Sequence, residues 1–284
     1  MTDPAGPPPS GPPQAPAVCV RHPDRPTGLR CTRCDRPACP ECLREAAVGY
    51  QCVDCVAEGR PAARRTIRPV ARGPRTPVVT TSLIALNVLV FVVTVVQARS
   101  LNGNDRSDLF AAWSLVPGYV AQGEWWRVVT AGFLHYGPLH LLFNMLALWV
   151  IGRDMEMLLG RTRLLAVYLV ALLGGSAAAL LFYGANSEVA GASGAVFGLM
   201  GGLAVALRRM RVPMTQVVVV IAINIVLSVT LPGVSLIGHL GGLIVGAVAT
   251  AALVYAPARN RTAFQAGAIG ALTVLSIAVM LLAV

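Results

Sequence analysis

Two groups of residues in this 284-residue chain have types and spacings that could do chemistry. The first is Ser193, within Gly191-Ala192-Ser193-Gly194, together with His239, within Gly238-His239-Leu240-Gly241-Gly242. His140 and Asn144 join them, one helical turn apart and so on a common helix face. A serine hydroxyl is a poor nucleophile until a base takes its proton, and imidazole is the side chain whose acidity suits that task near neutrality. Asn144, His140 and the backbone N–H of Ser193 are candidate donors to the negative charge that grows on a tetrahedral intermediate. No Asp or Glu follows Glu188, and the acidic residues on the apolar segments, Asp154 and Glu156, fall at the cytoplasmic end of the second, the wrong face. This chemistry therefore has to run on a Ser–His dyad without the carboxylate of a triad.

The second group is Cys19-x2-His22, Cys31-x2-Cys34, Cys39-x2-Cys42 and Cys52-x2-Cys55, four pairs of soft ligands. A two-residue gap lets both members of a pair face one ion, and four pairs fill two tetrahedral structural zinc sites. The chain has 7 cysteines, all of them here, and an odd number leaves one over in any disulfide scheme. Neighbouring pairs could share an ion in sequence, as two zinc ribbons would. The alternative, interleaved order resembles a B-box or RING-like cross-brace, which would join Cys19, His22, Cys39 and Cys42 at one ion and Cys31, Cys34, Cys52 and Cys55 at the other. In either arrangement zinc replaces a hydrophobic core that a segment of about 40 residues cannot build. The resulting knob has the character of a docking module for a cytosolic protein partner.

The elements that must position these residues follow from composition. The chain is 55% hydrophobic and 13% charged, with a mean hydropathy of +0.66, which excludes an ordinary soluble domain. Apolar runs of about 20 residues, each long enough to cross a bilayer, recur from Val78 onward. They predict seven transmembrane helices at 78–98, 138–157, 164–183, 191–207, 214–231, 234–254 and 263–284. The fold class expected is an all-α polytopic bundle over 78–284, preceded by a small zinc-stabilised domain at 18–56. A Pro-rich tail at 1–17, without a signal peptide, and a basic linker at 57–77 complete the division. The connection at 99–137 carries Trp113, Tyr119, Trp125 and Trp126, amphipathic aromatics that suit the membrane interface.

Charge fixes the expected orientation. All 23 basic residues are Arg, and the net charge is +10. With the N-terminus in the cytoplasm, fourteen arginines of the linker and loops lie inside and only Arg99, Arg106 and Arg127 outside. The basic excess then reflects topology and contact with anionic lipid, and nucleic acid is not an expected partner. The C-terminus is expected outside, in the plasma membrane of a bacterium.

Under that topology the polar set converges. At 1.5 Å per residue, His140 and Asn144 lie about 3 to 9 Å below the outer start of their span, Ser193 about 3 Å and His239 about 8 Å. Gly194 and Gly198 on one span, and Gly242 and Gly246 on another, form small-residue faces that let backbones approach and bring Ser193 to His239.

These motifs resemble a rhomboid intramembrane serine protease over about 200 residues: Trp126-Arg127 in the first loop, the His135, His140, Asn144 pattern, Gly191-Ala192-Ser193-Gly194, and His239-Leu240-Gly241-Gly242 followed by Gly246. The resemblance implies six core helices plus one C-terminal helix, with Ser193 as nucleophile, His239 as general base, and His140 and Asn144 as the oxyanion hole. It implies transmembrane protein substrates cleaved near the outer face within the lipid bilayer, and no cofactor for the chemistry, zinc belonging to the distant head. Gly191, Gly194, Phe197, His135, Trp126 and Arg127 are supporting residues. Phe197 stands where many members carry Tyr stacked on the histidine, which keeps the ring and loses the hydroxyl. Gly238 stands where Ala is common. Arg127 pins the loop to lipid phosphate or to backbone carbonyls. The alternative is a non-catalytic rhomboid-like protein that binds membrane clients, against which the intact Ser193 and His239 argue.

Overall fold

The computed structural model describes residues 17–58, 76–230 and 234–284. The chain divides into two compact units, Met1–Ala71 and Arg72–Val284. Apart from their edges, the Pro-rich tail and the basic linker expected from sequence lie outside the described residues.

The first unit contains two small antiparallel hairpins. Strand β1 (Val18–Cys19) pairs with β2 (His22–Pro26), and β3 (Leu43–Glu45) pairs with β4 (Tyr50–Cys52). Its buried apolar cluster is Cys19, Cys31, Cys39, Cys42, Cys52 and Cys55 with only Ala38 and Leu43 added. Two ordinary side chains cannot offset the chain entropy of ordering this segment, so the cysteines must hold it.

In the second unit, seven helices stand at the seven segments expected, among the described residues. Helix α1 (Val78–Ala98) leads into the first loop, which folds as three short helices, α2 (Asp108–Trp113), α3 (Pro117–Ala121) and α4 (Arg127–Thr130). Then follow α5 (Gly137–Leu159), α6 (Arg161–Phe182), α7 (Ser193–Met210), α8 (Thr215–Thr230), α9 (Leu236–Val254) and α10 (Arg261–Ala283). By length and composition α1, α6, α9 and α10 can each cross a membrane. Helix α5 and the segment Arg127–Phe133 before it form a bent pair at 93°, a further candidate span. Helix α8, at 16 residues, is shorter than a full crossing, and the glycines and Arg208-Arg209 of α7 lower its hydropathy. Helix α7 compensates by burying much of its length against other helices rather than lipid.

Two local features depart from the sequence expectation. Helix α5 contains a π-turn at Leu148–Gly152, where Gly152 lies against Thr80 of α1. Helix α7 begins at Ser193 rather than at residue 191, because Gly191 takes a φ of +138°, a conformation outside the helix that favours glycine.

The expected small-residue faces are close-packed. A Cβ added at Gly242 would run into the backbone of Gly194, and one at Gly246 into the backbone of Gly198. Helices α7 and α9 therefore touch backbone to backbone, and α6 joins them where a Cβ at Gly175 would stand 2.9 Å from the Gly238 carbonyl oxygen.

Glu156, expected simply at the cytoplasmic end of its span, is fully buried and caps α1. Its carboxylate accepts from the backbone N–H groups of Val79 at 3.0 Å and Thr80 at 2.8 Å, and from the Thr80 hydroxyl at 2.8 Å. These are the free donors that open a helix, where the backbone dipole favours negative charge. Glu156→Ala leaves them buried without acceptors and is expected to destabilise the membrane domain by roughly 1–3 kcal/mol. Thermal unfolding of the purified chain in detergent checks this, and an unchanged midpoint would contradict the capping role.

Candidate active site

Helices α7 and α9 approach so closely that the two residues opposite each other at their near ends meet. His239 Nε2 lies 2.7 Å from Ser193 Oγ. Ser193 is the first residue of α7, with Ala192 at the N-cap offering no side-chain acceptor. Its amide thus belongs to the helix opening, where N–H groups are not consumed by the helix's own carbonyls. His239 stands three residues into α9, whose start is fixed by the Ser235 hydroxyl accepting from the Gly238 N–H at 3.1 Å. The Phe197 ring stacks on the imidazole with centroids 4.1 Å apart and planes inclined by 13°. Ser193 and His239 are thus a hydrogen-bonded pair with one ring face of the histidine covered.

His140 reaches the same place from α5, with Asn144 one turn further along that helix. The His140 Nδ1 accepts from the Tyr136 backbone N–H at 3.1 Å, so its proton resides on Nε2. That Nε2 faces Gly191: a Cβ built there would stand 3.0 Å from His140 Nε2 and 3.5 Å from Ser193 Oγ. The absent side chain leaves a space of atomic size between a nitrogen donor and the serine oxygen. Asn144 is buried and uses one amide hydrogen on the His140 carbonyl at 3.0 Å, which leaves the second for a ligand. The extended segment before Ser193 is held by the Gly191 N–H donating to the Ala131 carbonyl at 2.9 Å, and by a bridge between Leu115 and Val189.

The supporting residues divide into distinct roles. Arg127 does not reach outward to lipid phosphate: it is only 4% exposed. It donates to the carbonyls of Ala111 at 2.7 Å and Ser114 at 2.8 Å, pairs with Glu124 at 2.6 Å, and lies 4.7 Å over the Tyr119 ring. Five donors in a planar fork explain why arginine serves as the pin of this loop. Trp126 is 52% exposed and anchors only through its indole N–H to the Ala112 carbonyl at 3.0 Å. His135 is buried at the α4–α5 bend, edge-on to His140 with centroids 5.1 Å apart, and its ring nitrogens make no hydrogen bond among the described residues.

Two residues important to this geometry were not singled out from sequence. Asn104 is buried, donating to Thr94 Oγ1 at 3.0 Å and to the His135 carbonyl at 2.8 Å while accepting from the Gly137 N–H at 2.9 Å. It ties the bend that aims His140. Ser228, on α8, lies 2.7 Å from His239 Nδ1. A serine in an apolar helix ordinarily bonds its own backbone, so neither carried a signal.

In the first unit, Cys19, His22, Cys39 and Cys42 gather as one tetrad and Cys31, Cys34, Cys52 and Cys55 as another, each with its ligand atoms within 4.8 Å of one another. The first pair therefore shares with the third and the second with the fourth, the interleaved order. The fit to a tetrahedral ion is close: Zn–S and Zn–N bonds of about 2.3 and 2.0 Å imply edges of about 3.8 Å between sulfurs and about 3.5 Å from sulfur to nitrogen. Cys34 and Cys52 sulfurs are 3.8 Å apart, and His22 Nδ1 is 3.8, 3.5 and 3.4 Å from the sulfurs of Cys19, Cys39 and Cys42. The Cys39 backbone N–H helps lower the Cys19 thiol to about 6, whereas burial pushes the Cys55 thiol up to about 12. Packed thiols thus compete for charge, a conflict that a central dication removes. Both tetrads can hold a metal ion.

Comparison with known proteins bears on the membrane unit. The family profile described as "Rhomboid domain" matches residues 122–256. The chain is 40% identical over 182 residues to "Rhomboid protease GluP" of Bacillus subtilis, covering 62% of this chain and 35% of that protein. It is 28% identical over 213 residues to "Rhomboid protease AarA" of Providencia stuartii, covering 65% of this chain and 75% of that protein. It is also 41% identical over 130 residues to "RHOMBOID-like protein 4" of Arabidopsis thaliana, covering 43% and 32% respectively. The chain spans about a third of the length of the first and last of these. The matched region holds Trp126, His140, Asn144, Ser193, His239 and the glycines between α7 and α9, and over it the chain is similar to the rhomboid domain.

Proposed function

We propose that the membrane unit is a serine endopeptidase that cleaves transmembrane segments of other membrane proteins near the outer face of the bilayer. The observation that carries this reading is the 2.7 Å contact between His239 Nε2 and Ser193 Oγ, facing a space bordered by His140. His239 takes the Ser193 proton as Oγ attacks the peptide carbonyl. The oxyanion then occupies the space beside Gly191, facing His140 Nε2, the Ser193 amide and Asn144, donors fixed before the reaction begins. The His239 proton passes to the leaving amine, and water hydrolyses the acyl-enzyme with His239 again as base. A helical substrate must unwind locally to offer its carbonyl, which small residues near the outer end of its span favour.

The relatives' printed names, "Rhomboid protease" among them, support the same reading. The charge distribution supports the orientation with the first unit in the cytosol, and the tetrad geometry supports two structural zinc ions in that unit. The plasma membrane of a bacterium is the location that fits this arrangement.

The test is cleavage of a single-span reporter protein by the purified chain in lipid, with the cut site mapped. A cut in the outer part of the reporter span by wild type, absent with Ser193→Ala, is the expected result; equal cleavage by both would overturn the reading. Gly191→Ala adds a sharper check, because its Cβ fills the oxyanion space and its φ of +138° strains any L side chain. Loss of one oxyanion interaction typically costs about 100-fold or more in turnover, and that loss is expected in a chain that still purifies as wild type. Unchanged turnover would remove the oxyanion from this space.

A further inference from the structure

With no acidic side chain after Glu188, the catalytic histidine lacks the usual carboxylate on its far nitrogen. Something else must decide which ring nitrogen carries the proton. A neutral imidazole protonated on Nε2 would point a hydrogen at Ser193 and could not act as its base.

Ser228 occupies that position. Its hydroxyl lies 2.7 Å from His239 Nδ1 and 2.7 Å from the Asn224 carbonyl oxygen one turn earlier on α8. A carbonyl can only accept, so the single hydroxyl hydrogen goes to Asn224. The remaining contact is satisfied only when Nδ1 carries a hydrogen and donates it to Ser228 Oγ. Nε2 is then left with its lone pair directed at Ser193 Oγ, 2.7 Å away. Phe197 stacks on the ring and holds its plane, while Ser228 and Ser193 fix the two nitrogens within it. Helix α8 otherwise keeps its side chains half-buried or exposed: Ser228, at 6% exposure, is the buried residue among those described on it. The one side chain that α8 buries is thus the one bonded to the histidine.

We propose that Ser228 is a positioning residue for His239, setting the Nδ1–H tautomer so that Nε2 is the atom that takes the Ser193 proton. This rests on the proteolytic reading above and deepens it. In the attack the proton moves from Ser193 Oγ to His239 Nε2. The imidazolium formed keeps donating from Nδ1 to Ser228, whose own hydrogen stays on Asn224, so no proton passes to Ser228. Ser228 does not touch the substrate; it acts through His239.

The experiment compares wild type, Ser193→Ala, Ser228→Ala and Ser228→Thr in lipid with the single-span reporter, alongside ¹⁵N NMR of histidine-labelled protein in detergent. The His239 signals are assigned by their loss in His239→Ala. Loss of one neutral hydrogen bond predicts a fall in kcat of about tenfold for Ser228→Ala with KM unchanged, and recovery of most of the rate in Ser228→Thr, which keeps the hydroxyl. The spectrum of wild type is expected to show hydrogen on Nδ1, and that of Ser228→Ala a mixture of tautomers. Wild-type kcat in Ser228→Ala, or hydrogen on Nε2 in wild type, would overturn the proposal. The tautomer is read without turnover, so it decides even if the threonine variant packs poorly. Equal cleavage by wild type and Ser193→Ala would instead overturn the proteolytic reading itself.

Discussion

Ser193→Ala is expected to lower reporter cleavage by at least about 1,000-fold, to the background of the preparation, while expression and thermal stability stay as in wild type. The size of the effect follows from what the hydroxyl does. In the proposed mechanism it forms the covalent bond that splits one difficult hydrolysis into two easier steps. Among the described residues the other hydroxyl bonded to His239, that of Ser228, lies at its far nitrogen and spends its hydrogen on Asn224. Stability should be indifferent because Ser193 is only half-buried and its partner His239 retains the Ser228 contact. His239→Ala should cost about as much as Ser193→Ala, and the double variant no more than either, since groups that act as one unit lose their contribution together. Additive losses would mean that the two act independently, contrary to the 2.7 Å contact between them.

Withdrawal of metal from the first unit is the second large effect. Its buried cluster holds six cysteines and only Ala38 and Leu43 besides, so metal–ligand bonds are expected to supply the folding energy rather than add to it. Structural zinc in sites of this kind contributes on the order of 10–16 kcal/mol near neutral pH, far more than two side chains can supply. The purified chain is expected to carry one zinc ion at each of its two tetrads, measured by elemental analysis. A strong chelator should expose all 7 cysteines to a thiol reagent, and Cys39→Ser should leave the zinc content near one per chain. A metal-free chain whose cysteines stay protected would contradict this. So would a Cys39→Ser chain that keeps both ions.

How far these results could be read from the sequence depends on the kind of interaction. Ser193, His239 and the four Cys/His pairs were legible because their chemistry demands particular residue types at particular spacings. The meeting of α7 with α9 was legible through Gly194, Gly198, Gly242 and Gly246, since a missing side chain at four-residue spacing marks backbone contact. The seven apolar segments were legible from hydropathy, which reports lipid exposure. It reports internal irregularity poorly, so the π-turn at Leu148–Gly152 gave no sign of itself. Ser228, Asn104 and Glu156 were hidden for a common reason. Each acts by a hydrogen bond to an element distant in the chain, and its local surroundings look like those of any serine, asparagine or glutamate. Arg127 was half legible: its importance came from its place beside Trp126, whereas its carbonyl partners Ala111 and Ser114 required the fold of the loop. The sharing of the Cys/His pairs stood between two arrangements until the fold gathered Cys19 and His22 with Cys39 and Cys42, and Cys31 and Cys34 with Cys52 and Cys55.

The central claim is that His239 makes Ser193 a nucleophile within the membrane unit. Its most direct test is to treat the purified full chain in lipid with a fluorophosphonate probe and to locate the adduct by mass spectrometry of the digested protein. One phosphonylated residue is expected, Ser193, with labelling lost in His239→Ala. An adduct elsewhere with Ser193 unmodified, or labelling of Ser193 at the wild-type rate in His239→Ala, would contradict it.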